Sequence, residues 1–159
     1  MKLNFGSGND PLEGFINVDF LKRDDVDFEY NLMDFPYPWD DNSVEEIRAI
    51  DVIEHLDHYT DKSSPVVDFH RKPTIMCFIE ECYRILQPGG LLYIQTPHWD
   101  SDLFKIDVTH VRGFHENSFD FFDDETYYGS IRGFYSGAAF KVRCEMLENR
   151  NLRFWLVKK

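Results

Sequence analysis

The chain has 159 residues, with 17 Lys and Arg against 29 Asp and Glu and a formal net charge of −12. That length sets the expectation of one domain over residues 1–159, and 43% apolar with 16% aromatic residues excludes a disordered chain. Acidity on this scale speaks against a binder of duplex nucleic acid or of a membrane surface, since both need a Lys/Arg face.

Residues 2–5 read as a short strand that runs into Gly6-Ser7-Gly8. Residues 15–20 (FINVDF) read as a second strand and residues 26–32 as a third, followed by the turn-rich Asp34-Phe35-Pro36-Tyr37-Pro38-Trp39. Over residues 46–53 two readings compete. Ser43 and Glu46 have the spacing of a capping box that would open a helix, whereas Ile47, Ile50, Val52 and Ile53 are β-branched and favour a fourth strand; the strand is preferred. Residues 58–74 are polar and broken by prolines, a long loop that serves as a substrate cover or as a plain insertion. Thr74 is placed to cap a helix whose Ile75, Phe78, Ile79, Cys82, Ile85 and Leu86 recur at helical spacing, with Pro88-Gly89-Gly90 as its stop. Residues 91–96 (LLYIQT) form a fifth strand. A short helix is expected over 117–124, and residues 140–147 and 152–157 flank Glu148-Asn149-Arg150-Asn151 as an antiparallel hairpin.

Strands alternating with connections and closing on a hairpin predict an α/β sandwich around a mostly parallel sheet. In such sheets ligands bind beyond the carboxyl ends of the strands. Gly6-Ser7-Gly8 after the first strand lets a ligand approach the backbone, and Asp19 at the end of the second can accept from ribose hydroxyls. Only six residues separate Gly8 from the second strand, too few for the helix whose N-terminus holds a pyrophosphate. The pattern therefore points to a nucleoside ligand without phosphate and away from a nicotinamide or flavin dinucleotide. Cys77, Cys82 and Cys144 form no CxxC pair and are expected as free, small apolar residues. The opening residues carry no secretory apolar core and no apolar run nears the roughly 18 residues of a membrane span, so the expected location is cytoplasmic.

The series LNFGSG, FINVDF, MDFPYPWDDNSVEEI, VIEHL, ECYRILQPGGLLYIQTP and DVTHVRGF resembles class I S-adenosylmethionine-dependent methyltransferases, in their type-11-like branch, over nearly the whole chain to about Phe122. The resemblance implies a compact Rossmann-like sandwich with a C-terminal antiparallel hairpin, its early helices shortened or missing, and S-adenosyl-L-methionine as cofactor. It implies that Gly6, Ser7 and Gly8 border the methionyl part, Asp19 holds the ribose, and Asp34 and Phe35 sit at the adenine. Asp51, Glu54 and His55 follow the fourth strand, where the family places the methionyl end and the acceptor. His55 is the first candidate for a general base, Asp51 a second, and His110, in a stretch matching D-P-T-H-x-R with valine for proline, belongs to an acceptor-side loop. The implied acceptor is a small molecule or glycan methylated at oxygen or nitrogen.

His98, Asp100, Asp107, His110, Arg112 and His115 make a second constellation, but no tight ligand pair stands among them and no metal is expected. Aromatic residues crowd the segment from Phe114 to Phe140, either as a lid packed on the sheet or as a stacking pocket, and Asp123-Asp124-Glu125 reads as a solvated face. The alternative function is a non-catalytic binding module on the same fold. The sequence leaves the oligomeric state open.

Overall fold

A computed structural model describes residues 1–56, 72–134 and 136–159. The loop expected over 58–74 falls almost wholly outside these residues, as does Tyr135 of the aromatic segment. Seven strands form one sheet: β1 (Lys2–Phe5), β2 (Ile16–Asp19), β3 (Phe28–Glu29), β4 (Val44–Ile50), β5 (Leu86–Pro97), β6 (Phe140–Met146) and β7 (Asn151–Lys158). Their order is β3-β2-β1-β4-β5-β7-β6. The first five run parallel, while β7 pairs antiparallel with both β5 and β6. The expected fold class holds, C-terminal hairpin included.

No helix lies between β1 and β4, and side chains do the work of the missing ones. Asn17 Oδ1 accepts from Asn4 Nδ2 (3.0 Å) and from the Leu12 backbone N–H (2.8 Å), while Asp27 Oδ2 accepts from both the backbone and the side-chain amide of Asn17. Asn4 and Asn17 are buried, so each unmet bond would leave a desolvated amide, a loss of about 1–3 kcal/mol. This network ties the 10–14 crossover to the sheet.

The strand preferred over the capping box is correct: Ser43 Oγ donates to the Asp40 carbonyl, and Glu46 sits in β4 between Lys2 and Arg48. β4 begins two residues earlier than expected and ends at Ile50, because Asp51 adopts a left-handed φ of 53°. The expected third strand shrinks to two residues, since Asn31 and Asp34 close a turn directly after Tyr30.

The helix α1 (Thr74–Ile85) buries Phe78, Ile79, Cys82 and Ile85 against Leu3, Phe5, Ile47, Leu92 and Ile94. Each such side chain contributes about 1.5–3 kcal/mol. Thr74 does not cap it. Extended Pro73 precedes the helix, its carbonyl accepts from Met76 and Cys77, and Thr74 is the first helical residue, its buried hydroxyl without a partner among the described residues. Pro88-Gly89-Gly90 is not the stop either: Leu86 is already extended, and the three residues bulge within β5, whose pairing with β4 shifts between Val44 and Glu46.

A short helix α2 (Asp102–Ile106), not foreseen, is capped by Ser101 Oγ accepting from Phe104 N–H at 3.1 Å. The helix expected over 117–124 narrows to one 3-10 turn, Asp120–Phe122. Its i→i+3 bonds place Phe119 and Phe122 on one side, both buried near Phe154 and Phe140. Those aromatic residues are core, as the lid reading has it, whereas Tyr127 and Tyr128 are exposed. Asp123 departs from the solvated face: it is buried, accepts from the Val142 and Glu125 backbone, and faces Lys159. The three cysteines are free, and burial pushes the thiols of Cys77, Cys82 and Cys144 up. No helix among the described residues is long and apolar enough to cross a membrane.

Candidate functional site

The carboxyl ends of β1, β2 and β4 open onto a cleft of about 690 Å³, a volume suited to a small organic ligand. Gly6 and Gly8 both take positive φ, 63° and 51°. A Cβ on Gly6 would run into the Val52 side chain, so only glycine keeps this part of the cleft free. Asp19 is buried at the cleft wall. Its Oδ2 accepts from Gly8 N–H (2.9 Å), its Oδ1 from Leu21 N–H (3.0 Å), and Arg23 stands 3.6 Å away. Four lone pairs on one carboxylate leave acceptor capacity beyond these bonds.

Past β4 the chain turns at Asp51, and a 3-10 turn over Ile53–His55 aims successive side chains in different directions. Glu54 points inward and is fully buried; its Oε2 accepts from Thr96 Oγ1 (3.0 Å), while Oε1 has no partner among the described residues. Burial, reinforced by the charges of Asp51 and Asp107, pushes its carboxyl up to about 7. Burial also raises Asp51, against the opposing pull of His110 and His55. His55 points outward into the cleft. The Thr109 hydroxyl donates to Asp107 Oδ1 at 2.6 Å, a bond that holds the exposed Asp107 carboxyl below the usual range. With its one hydrogen used, Thr109 Oγ1 can only accept from His55 Nδ1, 3.0 Å away, which leaves the lone pair of His55 on Nε2. His110 is fixed likewise: Nδ1 donates to the Phe104 carbonyl (3.0 Å), its ring stacks on Phe104, and Nε2 carries the lone pair. The backbone carbonyl of Glu54 accepts from Val111 and Arg112, which joins the His110 loop to the 3-10 turn.

His98 and His115 form a separate cluster with Glu116. His98 Nδ1 accepts from the Asp100 backbone N–H (3.2 Å) and faces Arg150, while His115 Nδ1 accepts from Asn117 N–H (3.3 Å). Both hydrogens therefore sit on Nε2, 3.6 and 3.2 Å from the same Glu116 oxygen. Asp100 pairs with Lys105, so it stands outside this cluster.

Of the residues foreseen from sequence, Gly6, Asp19, Asp51 and His55 line the cleft together. Ser7 and Gly8 continue the turn behind it, and Glu54 and His110 lie beneath and beside His55. Asp34 and Phe35 are not in the lining: the Asp34 carbonyl accepts from Tyr30 Oη, and Phe35 stacks on Tyr37 at 5.2 Å. Asn31, Leu32 and Met33 line that stretch in their place. Sequence reasoning also missed Phe20, Tyr30, Val52, Leu56 and Thr109. Phe20 carried a signal, an aromatic residue directly after the strand-end carboxylate, and it is 66% exposed.

Neither protein-family models nor curated proteins match the chain. Solved structures do. A SAM-dependent methyltransferase from Archaeoglobus fulgidus is 16% identical over 99% of this chain and 85% of its own, with a TM-score of 0.65. One from Thermotoga maritima is 16% identical over 99% and 81%, with a TM-score of 0.60. One from Methanosarcina mazei is 15% identical over 98% and 90%, with a TM-score of 0.56. At these identities the likeness is one of fold: the chain shares the Rossmann-like architecture of these proteins.

Proposed function

We propose that the chain is an S-adenosyl-L-methionine-dependent methyltransferase that acts on an oxygen or nitrogen of a small-molecule or glycan acceptor. The observation that carries this reading is the cleft over the Gly6 turn, at the strand ends where parallel sheets hold ligands, on a fold shared with methyltransferases. The residues present fit the cofactor. Position 6 admits no Cβ, two carboxylates suit ribose hydroxyls and a sulfonium charge, and the short 10–14 crossover offers no helix N-terminus to a phosphate. When bound, the cofactor supplies an electrophilic methyl group on a positively charged sulfur.

In this reading Gly6, Ser7 and Gly8 let the backbone approach the methionyl part, and Asp19 accepts from the ribose. Phe20, Leu32 and Met33 take the adenine end, while Asp34 and Phe35 set the turn that presents them. Asp51, in the cleft wall, brings negative charge toward the sulfonium, and Glu54 lies beneath it as a buried carboxyl. His55 Nε2 is the proton acceptor for a hydroxyl or amine, and His110 supports its orientation at a ring distance of 4.7 Å. Alignment of donor and acceptor supplies most of the rate, on the order of 7–11 kcal/mol in favourable cases.

Titration calorimetry with S-adenosylhomocysteine tests the reading. Saturable binding is expected, weakened about 100-fold in Asp19→Ala through loss of hydrogen bonds to a charged group. Absence of binding by both S-adenosylhomocysteine and S-adenosylmethionine overturns it.

A further inference from the structure

We infer that Glu54, His55 and His110 bind a divalent transition-metal ion of the zinc class at the wall of the cleft. One carboxylate oxygen of Glu54 and one ring nitrogen of each histidine lie within 4.8 Å of one another. Ligands on a shell of roughly 2.1 Å stand about 3–3.5 Å apart, so small side-chain rotations complete the site. The sequence alone gives no hint of it, because His110 lies far along the chain from the other two.

Two independent observations point to a cation. The first is Glu54 Oε1, an acceptor on a fully buried side chain with no hydrogen-bond donor among the described residues. The second is the pair of fixed tautomers. His110 gives its only hydrogen to the Phe104 carbonyl and His55 gives its own to Thr109, which is itself held by Asp107. Metal-bound histidines are oriented in this way, with the second ring nitrogen donating to a carbonyl, hydroxyl or carboxylate. Asp107 Oδ2 stands 3.6 Å from His110 Nε2 and adds negative charge, as does Asp51. Two imidazoles and one carboxylate suit a zinc-like ion with a coordination position left for an oxygen ligand. The cluster of His98, His115 and Glu116 has the same composition, and its Glu116 Oε2 also lacks a hydrogen-bond donor among the described residues. But the Glu116 side chain is a third exposed and both Nδ1 atoms accept from backbone N–H groups, so neither ring turns a lone pair toward the carboxylate.

The inference rests on the methyltransferase reading only for what the ion is for. The acceptor is then a hydroxyl compound whose oxygen takes the open position. Binding lowers the hydroxyl pKa and its proton passes to water. The oxygen lone pair forms the new O–C bond as the C–S bond breaks, and that electron pair stays on sulfur. By acidifying the hydroxyl the cation makes water a sufficient proton acceptor, in place of the free His55 ring.

Co²⁺ is the probe, added to the full-length protein after chelation and followed by its visible absorption, with Zn²⁺ as competitor. One equivalent per chain is expected, displaced by Zn²⁺. Affinity should fall at least about 100-fold in His55→Ala and in Glu54→Gln, and about tenfold in Thr109→Val, while His115→Ala leaves it unchanged. His55 is exposed, so its variant reports binding even where Glu54→Gln unfolds. Absence of Co²⁺ binding, or binding indifferent to His55→Ala and Thr109→Val, overturns the inference. Binding of S-adenosylhomocysteine without Co²⁺ sinks the metal site alone, and Co²⁺ without the nucleoside sinks only the methyltransferase reading.

Discussion

Two clusters of two histidines and a glutamate differ in where their hydrogens sit. Around Glu54 both Nδ1 atoms donate, one to the Phe104 carbonyl and one to the Thr109 hydroxyl. Around Glu116 both Nδ1 atoms accept, from the backbone of Asp100 and Asn117. Identical residue types thus turn ring lone pairs toward the carboxylate in one place and ring hydrogens toward it in the other. What decides is the group beside Nδ1: an acceptor there, the Phe104 carbonyl or the Thr109 hydroxyl, leaves the lone pair on Nε2, whereas a backbone N–H there leaves Nε2 as the donor.

The comparison is tested most sharply by pH on the chelated protein. Burial first, then the Asp51 and Asp107 charges, hold the Glu54 carboxyl up to about 7 against an ordinary value of 4.5, so the folded form keeps a proton that the unfolded form releases. Stability is therefore highest below about 4.5, falls as pH rises toward 7, and is level above. The total loss is roughly 3 kcal/mol, and urea melts of Glu54→Gln should show a flatter profile. Equal slopes in both proteins would put the proton elsewhere.

His98→Ala should follow at about 2 kcal/mol of destabilisation, because a buried ring is lost and the part-buried Asp100 N–H loses its acceptor, with nucleoside affinity unchanged. Glu116→Gln comes next at about 1 kcal/mol, since one donor replaces an acceptor that faces two N–H groups. The smallest change is expected for His55→Ala, within about 0.5 kcal/mol in the chelated protein, as befits an exposed ring. A large loss there would make His55 a structural residue and erase the contrast.

Much of this architecture is legible in the sequence because it follows from period and composition. The i, i+3, i+4, i+7 spacing of Ile75, Phe78, Ile79 and Cys82 marks α1, and the β-branched run in β4 outweighs the Ser43–Glu46 spacing. Gly6 and Asp51 directly follow strands and Asp19 ends one, while His55 was placed by the family resemblance of the segment after β4. The rest depended on distant partners. Nothing near Asp34 reveals that its carbonyl is held by Tyr30 and that the preceding residues face the cleft instead. Nor does local sequence show that Thr109 orients His55, since 54 positions separate them. Asp123 looks like surface until β6 brings the Val142 N–H to it.

Asp51 is the residue through which the sheet hands the chain over to the histidines, and its backbone is left-handed. Glycine accepts that conformation readily, whereas a residue with a Cβ adopts it at a disadvantage of roughly 1–2 kcal/mol. Asp51→Gly should therefore yield a sturdier molecule with a poorer cleft. A carboxylate maintained where the main chain would relax without it is an investment in chemistry over robustness.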